Sequence, residues 1–321
     1  MPPAAGRVTL WGVEVFLAVA EEGSVSAAAR RLGASPSAVS QQLSNLEIAL
    51  GRALIDRSRR PARLTMAGGI FRKRAQRIWN EATRARAELA AGDMEALTDL
   101  RLGMIEDFDA DVTPCLLSDM AGELRNCRFL LETGASHRLF DLLEARALDV
   151  IVAAQHAETA GEWAEIHPLL EDPFVAVLPV GFSTGEASLD VLRDLPFIHY
   201  TQRHLMGRQI SAHLELNRIE LPRRFELDSY HAIMAMVAAG AGWSILTPLG
   251  YLHARRFRDQ VDILPLPMAP LARRVHLIAR PEMFEDMPRR LAGRLKPLLQ
   301  EMIVAPETDR LPWLKDALRV L

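Results

Sequence analysis

Residues 35–44 read SPSAVSQQLS, and their polar side chains are small, neutral and able both to donate and to accept hydrogen bonds. Ser35, Ser37, Ser40 and Ser44 offer hydroxyls, Gln41 and Gln42 offer amides, and Ala38 offers a methyl group. Such a set suits recognition rather than catalysis. A serine can serve a base edge or a phosphate, a glutamine can hold adenine with two hydrogen bonds, and an alanine can touch a thymine methyl. Pro36 behind Ser35 is a strong start signal, a capping residue followed by proline at the first helical position. The N–H groups of that first turn suit a phosphate. Further along, Arg57, Arg59, Arg60 and Arg63 form a basic loop broken by Pro61, the type of group that contacts a phosphate backbone without reading its sequence.

A second chemical set is acidic. Residues 106–111 read EDFDAD and place four carboxylates, Glu106, Asp107, Asp109 and Asp111, directly after a strand-like run. Ligands of open α/β sheets sit beyond the carboxyl ends of strands. Three readings are open for this loop: a cap favoured by the dipole of the helix that follows, a wall for a cationic or amine-bearing ligand, or a metal site.

The elements that must position these sets follow from periodicity. Leu10, Val13, Phe16, Leu17 and Val19-Ala20 recur at helical spacing, so 9–22 reads as a helix stopped by Gly23. Ser24 caps a short helix over 25–32 ended by Gly33, and a helix over 36–50 buries Val39, Leu43, Leu46 and Leu50 before Gly51. Two helices about a tight turn, with a third in support, make a helix-turn-helix. Leu54-Ile55 and Leu64 anchor two short strands, a wing around the basic turn. From about Thr65 an Ala/Arg-rich helix has no strong breaker before Gly92 and spans roughly 40 Å at about 1.5 Å per residue. Its apolar side is Ile70, Ala75, Ile78, Trp79, Ala82, Ala85 and Leu89, and a helix of that length packs on a copy of itself or acts as a spacer.

Beyond residue 98 strands alternate with helices. Strand-like runs occupy 99–105, 127–133, 148–154, 174–180, 196–200, 243–248 and 274–279, with helical stretches at 114–125, 136–146, 207–217, 229–240 and 284–303. Buried parallel strands with crossover helices make an α/β domain. The tail, 304–321, begins like a loop and ends as a short amphipathic helix.

Charge separates the same two regions. The 321 residues carry a net charge of −3, yet residues 1–92 hold 14 Lys and Arg against 7 Asp and Glu, and the remainder is net −10. A basic head on an acidic body is the asymmetry expected where one end meets a polyanion. No run approaches the roughly 18 apolar residues of a membrane helix. The N-terminus lacks a signal-peptide pattern, and two cysteines make no disulfide framework, so a cytoplasmic protein without a membrane partner is expected. No GxSxG, P-loop, GxGxxG or HExxH motif appears, so an enzyme would rest on carboxylates alone, and none is expected.

The stretch FLAVAEEGSVSAAARRLGASPSAVSQQLSNLEIALGRALIDRSRRPARLTMAG resembles the winged helix-turn-helix of LysR-type transcriptional regulators. The resemblance runs through Phe16, Gly23, Ser24, Ala27-Ala28-Ala29, Leu32, Ser35, Ala38-Val39-Ser40, Leu43, Leu46-Glu47, Leu50-Gly51, Leu54, Arg57, Leu64-Thr65 and Gly68. It implies a winged helix-turn-helix domain over 1–68, a linker and dimerisation helix over 69–97, and a two-lobed effector domain over 98–303, similar to periplasmic binding proteins. Lobe I would comprise 98–173 and 270–303 and lobe II 174–269, with crossings near Leu170–Pro173 and Leu266–Pro270. Only the tail is extra. The resemblance also implies homodimers or homotetramers on an interrupted palindromic operator in double-stranded DNA, and a small effector between the lobes that alters the DNA contacts.

On that layout the cleft walls are Glu106, Asp107 and Asp109 on one side and Thr201, Gln202, Arg203, Asp228, Ser229, Tyr230 and Thr247 on the other. Members of the family often have Ser or Thr where this loop is acidic, so a simple carboxylate effector is disfavoured. Arg203 still allows an amino-acid-like one. Each wall residue could equally be a cap or a surface side chain. No cofactor is implied, and no histidines have metal spacing: His199 and His204 lie five apart across a strand end. Cys115 and Cys127 invite a redox reading, because a branch of the family senses oxidants, but no neighbouring residue in sequence activates either thiol.

Overall fold

The computed structural model describes residues 7–57, 61–90, 99–154, 164–182, 192, 195–280 and 286–321. The chain divides into two compact units, the first formed mainly by residues 1–96 and the second by the rest.

In the first unit, α1 (Leu10–Glu22), α2 (Val25–Arg31) and α3 (Pro36–Leu50) each begin on a hydroxyl. Thr9 Oγ1 accepts from Gly12 N at 3.0 Å, Ser24 Oγ from Ala27 N at 3.4 Å, and Ser35 Oγ from Ala38 N at 3.2 Å. These bonds satisfy donors that a helix start leaves unpaired. Gly23 and Gly51 end α1 and α3 in the left-handed region, at φ 61° and 65°, where a side chain would be strained. The core is Val13, Phe16, Leu17 and Val19 of α1, Ala28 and Ala29 of α2, and Val39, Leu43 and Leu46 of α3. Leu50, expected in that stripe, is only half-buried at its edge. The wing is an antiparallel pair, β1 (Ile55–Asp56) with β2 (Arg63–Leu64). Arg59 and Arg60 lie outside the described residues.

Helix α4 (Met66–Ala90) is the long helix, but the single apolar side read from the sequence divides in two. Ala75 is buried, Phe71 and Trp79 pack on the same core, and the Phe71 ring centroid is 5.2 Å from that of Phe16. Ile70 and Ile78 are 68% and 40% exposed, so they do not contribute to that core. Ala82 is half-buried and Ala85 exposed, and the side chain of Leu89 lies outside the described residues.

In the second unit, lobe I is a six-stranded sheet in the order β13-β6-β12-β5-β3-β4. Its strands are β3 (Asp99–Met104), β4 (Arg128–Thr133), β5 (Val150–Ala153), β6 (Glu165–Pro173), β12 (Ala272–Ala279) and β13 (Arg319–Val320). β3 runs parallel to β4 and β5, whereas β12 runs antiparallel to β5 and β6. The sheet is therefore mixed, not parallel throughout, because the chain leaves lobe I and re-enters it from the other side. Helices α5 (Val112–Glu123) and α6 (Ser136–Glu144) serve as the crossovers between β3, β4 and β5.

Lobe II holds β7 (Val175–Pro179) between antiparallel β10 (Ser244–Leu246) and β11 (Val261–Pro265). β8 (Ile198–Tyr200) pairs in parallel with β9 (Phe225–Leu227), and Phe197 bridges to Trp243. Its helices are α7 (Leu205–Leu216), α8 (Tyr230–Ala238) and α9 (Pro248–His253). The chain crosses at Phe174, between β6 and β7, and again over 266–271, between β11 and β12. One continuous apolar core runs through both lobes.

The tail differs from its expected loop and terminal helix. After α10 (Met287–Leu299) the chain continues through a π-helical turn into α11 (Ala305–Arg310) and ends as β13 on β6. Leu314 and Leu318 are fully buried, so burial of their side chains fixes what local periodicity left open.

Candidate functional site

Two polar surfaces were expected, one in each unit. On α3, Val39, Leu43 and Leu46 point into the core and turn the intervening residues outward. Ser37, Ala38 and Gln41 are exposed beside Ser35 and Pro36, while Ser40, Gln42 and Ser44 are half-buried. Ser35 is engaged as the cap and lies 3.0 Å from Ser37 Oγ. Gln41 donates to Asn45 Oδ1 at 3.0 Å, a partner the sequence reading did not single out.

Arg57 and Ser44 are less free than expected. Arg57 Nη2 donates to Glu47 Oε2 at 2.9 Å and to Ser44 Oγ at 3.3 Å. Glu47 Oε1 meanwhile accepts from Leu54 N and Ile55 N at 2.8 and 3.2 Å. Glu47 therefore fastens the root of the wing to α3, and Arg57 neutralises the fastening. Arg63, on β2, is exposed.

In the second unit a cleft, open at its mouth, lies between the lobes. Lobe I supplies Ile105–Asp107, Gly134–His137, Ala154 and Arg273. Lobe II supplies Tyr200, His204–Met206, Gln209 and Tyr230. Its floor is a buried charge cluster. Arg273 Nη2 donates to Asp107 Oδ1 at 2.7 Å and to Thr247 Oγ1 at 3.1 Å, and Nε donates to Asp172 Oδ2 at 2.8 Å. Asp172 Oδ1 accepts from Leu249 N, and the Tyr230 hydroxyl donates to Asp107 Oδ1 at 3.3 Å.

Burial opposes the Arg273 charge, but Asp107, Tyr230 and Asp172 around it prevail and hold the guanidinium firmly protonated. Burial pushes the Asp172 carboxyl up, against the pull of Arg273. The Tyr230 hydroxyl is raised by burial and then by Asp107, so it remains a donor.

This arrangement corrects the open acidic wall. Asp107 is neutralised by Arg273, Asp109 faces His253 Nδ1 at 3.5 Å, and Asp111 accepts from Arg255 at 3.3 Å. Glu106 is the carboxylate of the loop that is exposed at the cleft. Among the described residues no cluster of three or more His, Cys, Asp or Glu could hold a metal.

The far wall also differs. Glu106, Asp107 and Tyr230 line the cleft as expected, and Thr247 acts behind it on Arg273. Thr201 is buried and donates to Glu226 at 2.7 Å, Gln202 donates to Ser211 at 2.6 Å, and exposed Arg203 pairs with Asp228 at 3.2 Å. Ser229 caps α8. These five residues, with Asp109, do not line the cleft.

In their place stand Arg273, Ser136, His137, Tyr200, His204 and Gln209. Arg273 carried one signal: in a strand, Arg273 and Arg274 must face opposite ways, so one of the two turns inward. His137 and His204 carried none, because they come from opposite lobes. Their ring centroids are 5.8 Å apart, and His204 is also 5.8 Å from Tyr200. Burial, and then His137, lowers the His204 pKa below the ordinary value for a histidine. Gln209 Oε1 is buried with no hydrogen-bond partner among the described residues. The first helical bond of α6 runs from Leu139 N to Ala135 O, so the N–H groups of Ser136 and His137, two residues that line the cleft, precede the helical ladder.

A helix-turn-helix with a basic wing, joined to a two-lobed domain with an interlobe cleft, defines a DNA-binding regulator that responds to a small molecule. The chain belongs to the LysR family of bacterial transcriptional regulators. The family's helix-turn-helix model matches residues 10–69, and the LysR substrate binding domain matches 96–291. A probable hydrogen peroxide-inducible genes activator of Mycobacterium avium is 30% identical over 318 residues, covering 97% of this chain and 99% of its own. A probable nitrogen assimilation transcriptional activator of Synechococcus elongatus is 26% identical, covering 92% and 96%. In fold, the chain is similar to a full-length OxyR variant of Pseudomonas aeruginosa, with TM-score 0.68, 22% identity and coverage of 92% and 95%. It is also similar to CbnR, with TM-score 0.58, 20% identity and coverage of 91% and 99%. The chain is thus a transcriptional regulator and not an enzyme. Among the described residues no helix is long and apolar enough to cross a membrane.

Proposed function

We propose that this chain acts in the cytoplasm as a homodimer or homotetramer on an interrupted palindromic operator, and that an amino-acid-like effector between its lobes alters DNA binding. Ser37, Ala38, Gln41 and Gln42 of α3 read base edges, while Arg63, with Arg59 and Arg60, contacts phosphates. The exposed face of α4 with Ile70 supports self-association, because apolar side chains left in water by one copy can be covered by a second.

The observation that carries the effector class is the unequal charge of the cleft. Glu106 offers a carboxylate to an amine, Gln209 Oε1 has no donor among the described residues, and Ser136 and His137 at the start of α6 line the cleft with N–H groups suited to a carboxylate. A zwitterion fits both poles. Calorimetry with the common amino acids, matched amines and matched carboxylates tests this, followed by anisotropy on DNA flanking its own gene. Binding by a plain carboxylate alone would overturn the amine assignment.

The mycobacterial relatives named as peroxide-inducible activators favour a second reading, oxidation of a thiol. The chain holds Cys115, exposed on α5, and Cys127, whose thiol is pushed up to about 11 by burial and then by Asp99 and Asp149. Held protonated, the Cys127 thiol reacts poorly with peroxide. A double variant, C115S with C127S, should respond as the parent does. Loss of response to peroxide in that variant would favour the thiol.

A further inference from the structure

The segment beyond the matched effector domain is fastened to lobe I at both ends. α10 packs over β6 and α5, and β13 pairs with β6, where Arg319 lies opposite Glu171 and Leu321 N donates to Leu169 O at 3.0 Å. Between these anchors α11 points a carboxylate toward lobe II. Glu307 is 1% exposed, and its Oε2 accepts from the Tyr251 hydroxyl at 2.5 Å. Its Oε1 accepts from Arg258 at 3.1 Å, and Arg310 lies 3.4 Å from Oε2. Tyr251 and Arg258 belong to lobe II, so one buried carboxylate of the tail bridges the lobes.

Helix α9, which carries Tyr251, also forms the back of the cleft. Its cap Thr247 accepts from Arg273, and its Leu249 N–H donates to Asp172. Gly250 lies flat against the Tyr230 ring: a Cβ there would come 2.7 Å from Tyr230 Cε1, so only glycine permits that approach. Moving Tyr251 therefore moves Thr247, Gly250 and with them Arg273 and Tyr230.

We infer that Glu307 and Tyr251 are positioning residues, through which the tail acts as a strap that sets α9 and hence the Arg273–Asp107–Tyr230 floor of the effector cleft. Neither residue lines the cleft, and the strap does not depend on which molecule the cleft binds. A buried carboxylate shared by a hydroxyl and two guanidiniums gives charge-assisted bonds that loosen together when one partner is lost.

The test is amide hydrogen exchange on the full-length protein, comparing Glu307→Gln and Tyr251→Phe with the parent. The strap requires exchange over 248–253 to rise at least tenfold in both variants, while α6 and the β3–β5 strands keep their rates. Tyr251→Phe keeps the buried ring and decides the question should Glu307→Gln not fold. A rise confined to 305–321, or one uniform through the second unit, would overturn the inference. A double variant no faster than either single one would place both residues in one coupled unit, whereas additive effects would separate them and count against it.

Discussion

The recognition helix and the effector cleft hold polar groups in opposite ways. On α3 Ser37 and Gln41 stand on an exposed face with short local partners, Ser35 for Ser37 and Asn45 for Gln41, and half-buried Ser44 accepts from Arg57 of the wing. In the cleft the strongest charges are bonded to one another, Arg273 to Asp107 and Asp172, before any ligand arrives. The difference follows from burial. A neutral side chain in water needs no partner, whereas a charge removed from water must be paired. A DNA-reading surface can therefore wait open, but a cleft floor must first be made neutral.

The largest expected effect breaks the pairing itself. Arg273→Met leaves Asp107 and Asp172 buried without their cation and should cost the second unit about 3–5 kcal/mol in urea unfolding. A loss below about 1 kcal/mol would show that the floor is solvated. Next, Leu43→Ala should cost the first unit about 2–5 kcal/mol, because it empties the core behind α3. Gln41→Ala, two residues away on the exposed face, should change stability by less than about 0.5 kcal/mol. It should instead relax base preference at one operator position by about 1–3 kcal/mol, measured on a set of operator variants.

The third prediction separates two carboxylates one residue apart. Glu106→Gln should leave unfolding unchanged and weaken amine effectors, while Asp107→Asn should destabilise the fold whatever is bound. Equal effects of the two would dissolve the contrast between an exposed and a paired carboxylate.

The fourth prediction uses pH. Burial lowers His199 and His204 below the ordinary histidine value of about 6.5. Each therefore binds protons more readily in the unfolded chain, so stability is fully present above that value and falls as the pH drops through it toward the lowered folded values. Thermal unfolding of the second unit should weaken between about pH 7.5 and 5.5, and His204→Gln should flatten part of that slope. The smallest effect concerns the wing. Arg63→Ala should weaken all DNA sequences alike and reduce the salt dependence by about one counterion, with stability unchanged.

The two regions were also unequally legible. In the first unit the caps Ser24 and Ser35, the stops Gly23 and Gly51 and the buried Val39 and Leu43 are local signals, and the helices begin and end within a residue or two of them. In the second unit the strands 99–105 and 148–154 were legible as apolar runs, but β6, β9, β11 and β13 were not. β6 carries Glu165, Glu171 and Asp172, and β13 is two residues long. Both are strands because a neighbour receives them, not because of their own composition.

For the site the same boundary holds. Sequence alone determined that a polar, cation-flanked helix lies near the N-terminus and that an acidic loop follows β3, whereas Tyr230 entered only through the layout that the family resemblance implies. The first two depend on spacing within a few residues, which helix and strand geometry converts directly into a direction. Only the tertiary structure decided that Asp107 is already neutralised, that Arg273 is its cation, that His137 meets His204, and that Glu307 reaches Tyr251. Those contacts join residues from opposite lobes or from the far end of the chain. Their energies arise from burial shared by several elements, a quantity that no single stretch of sequence contains.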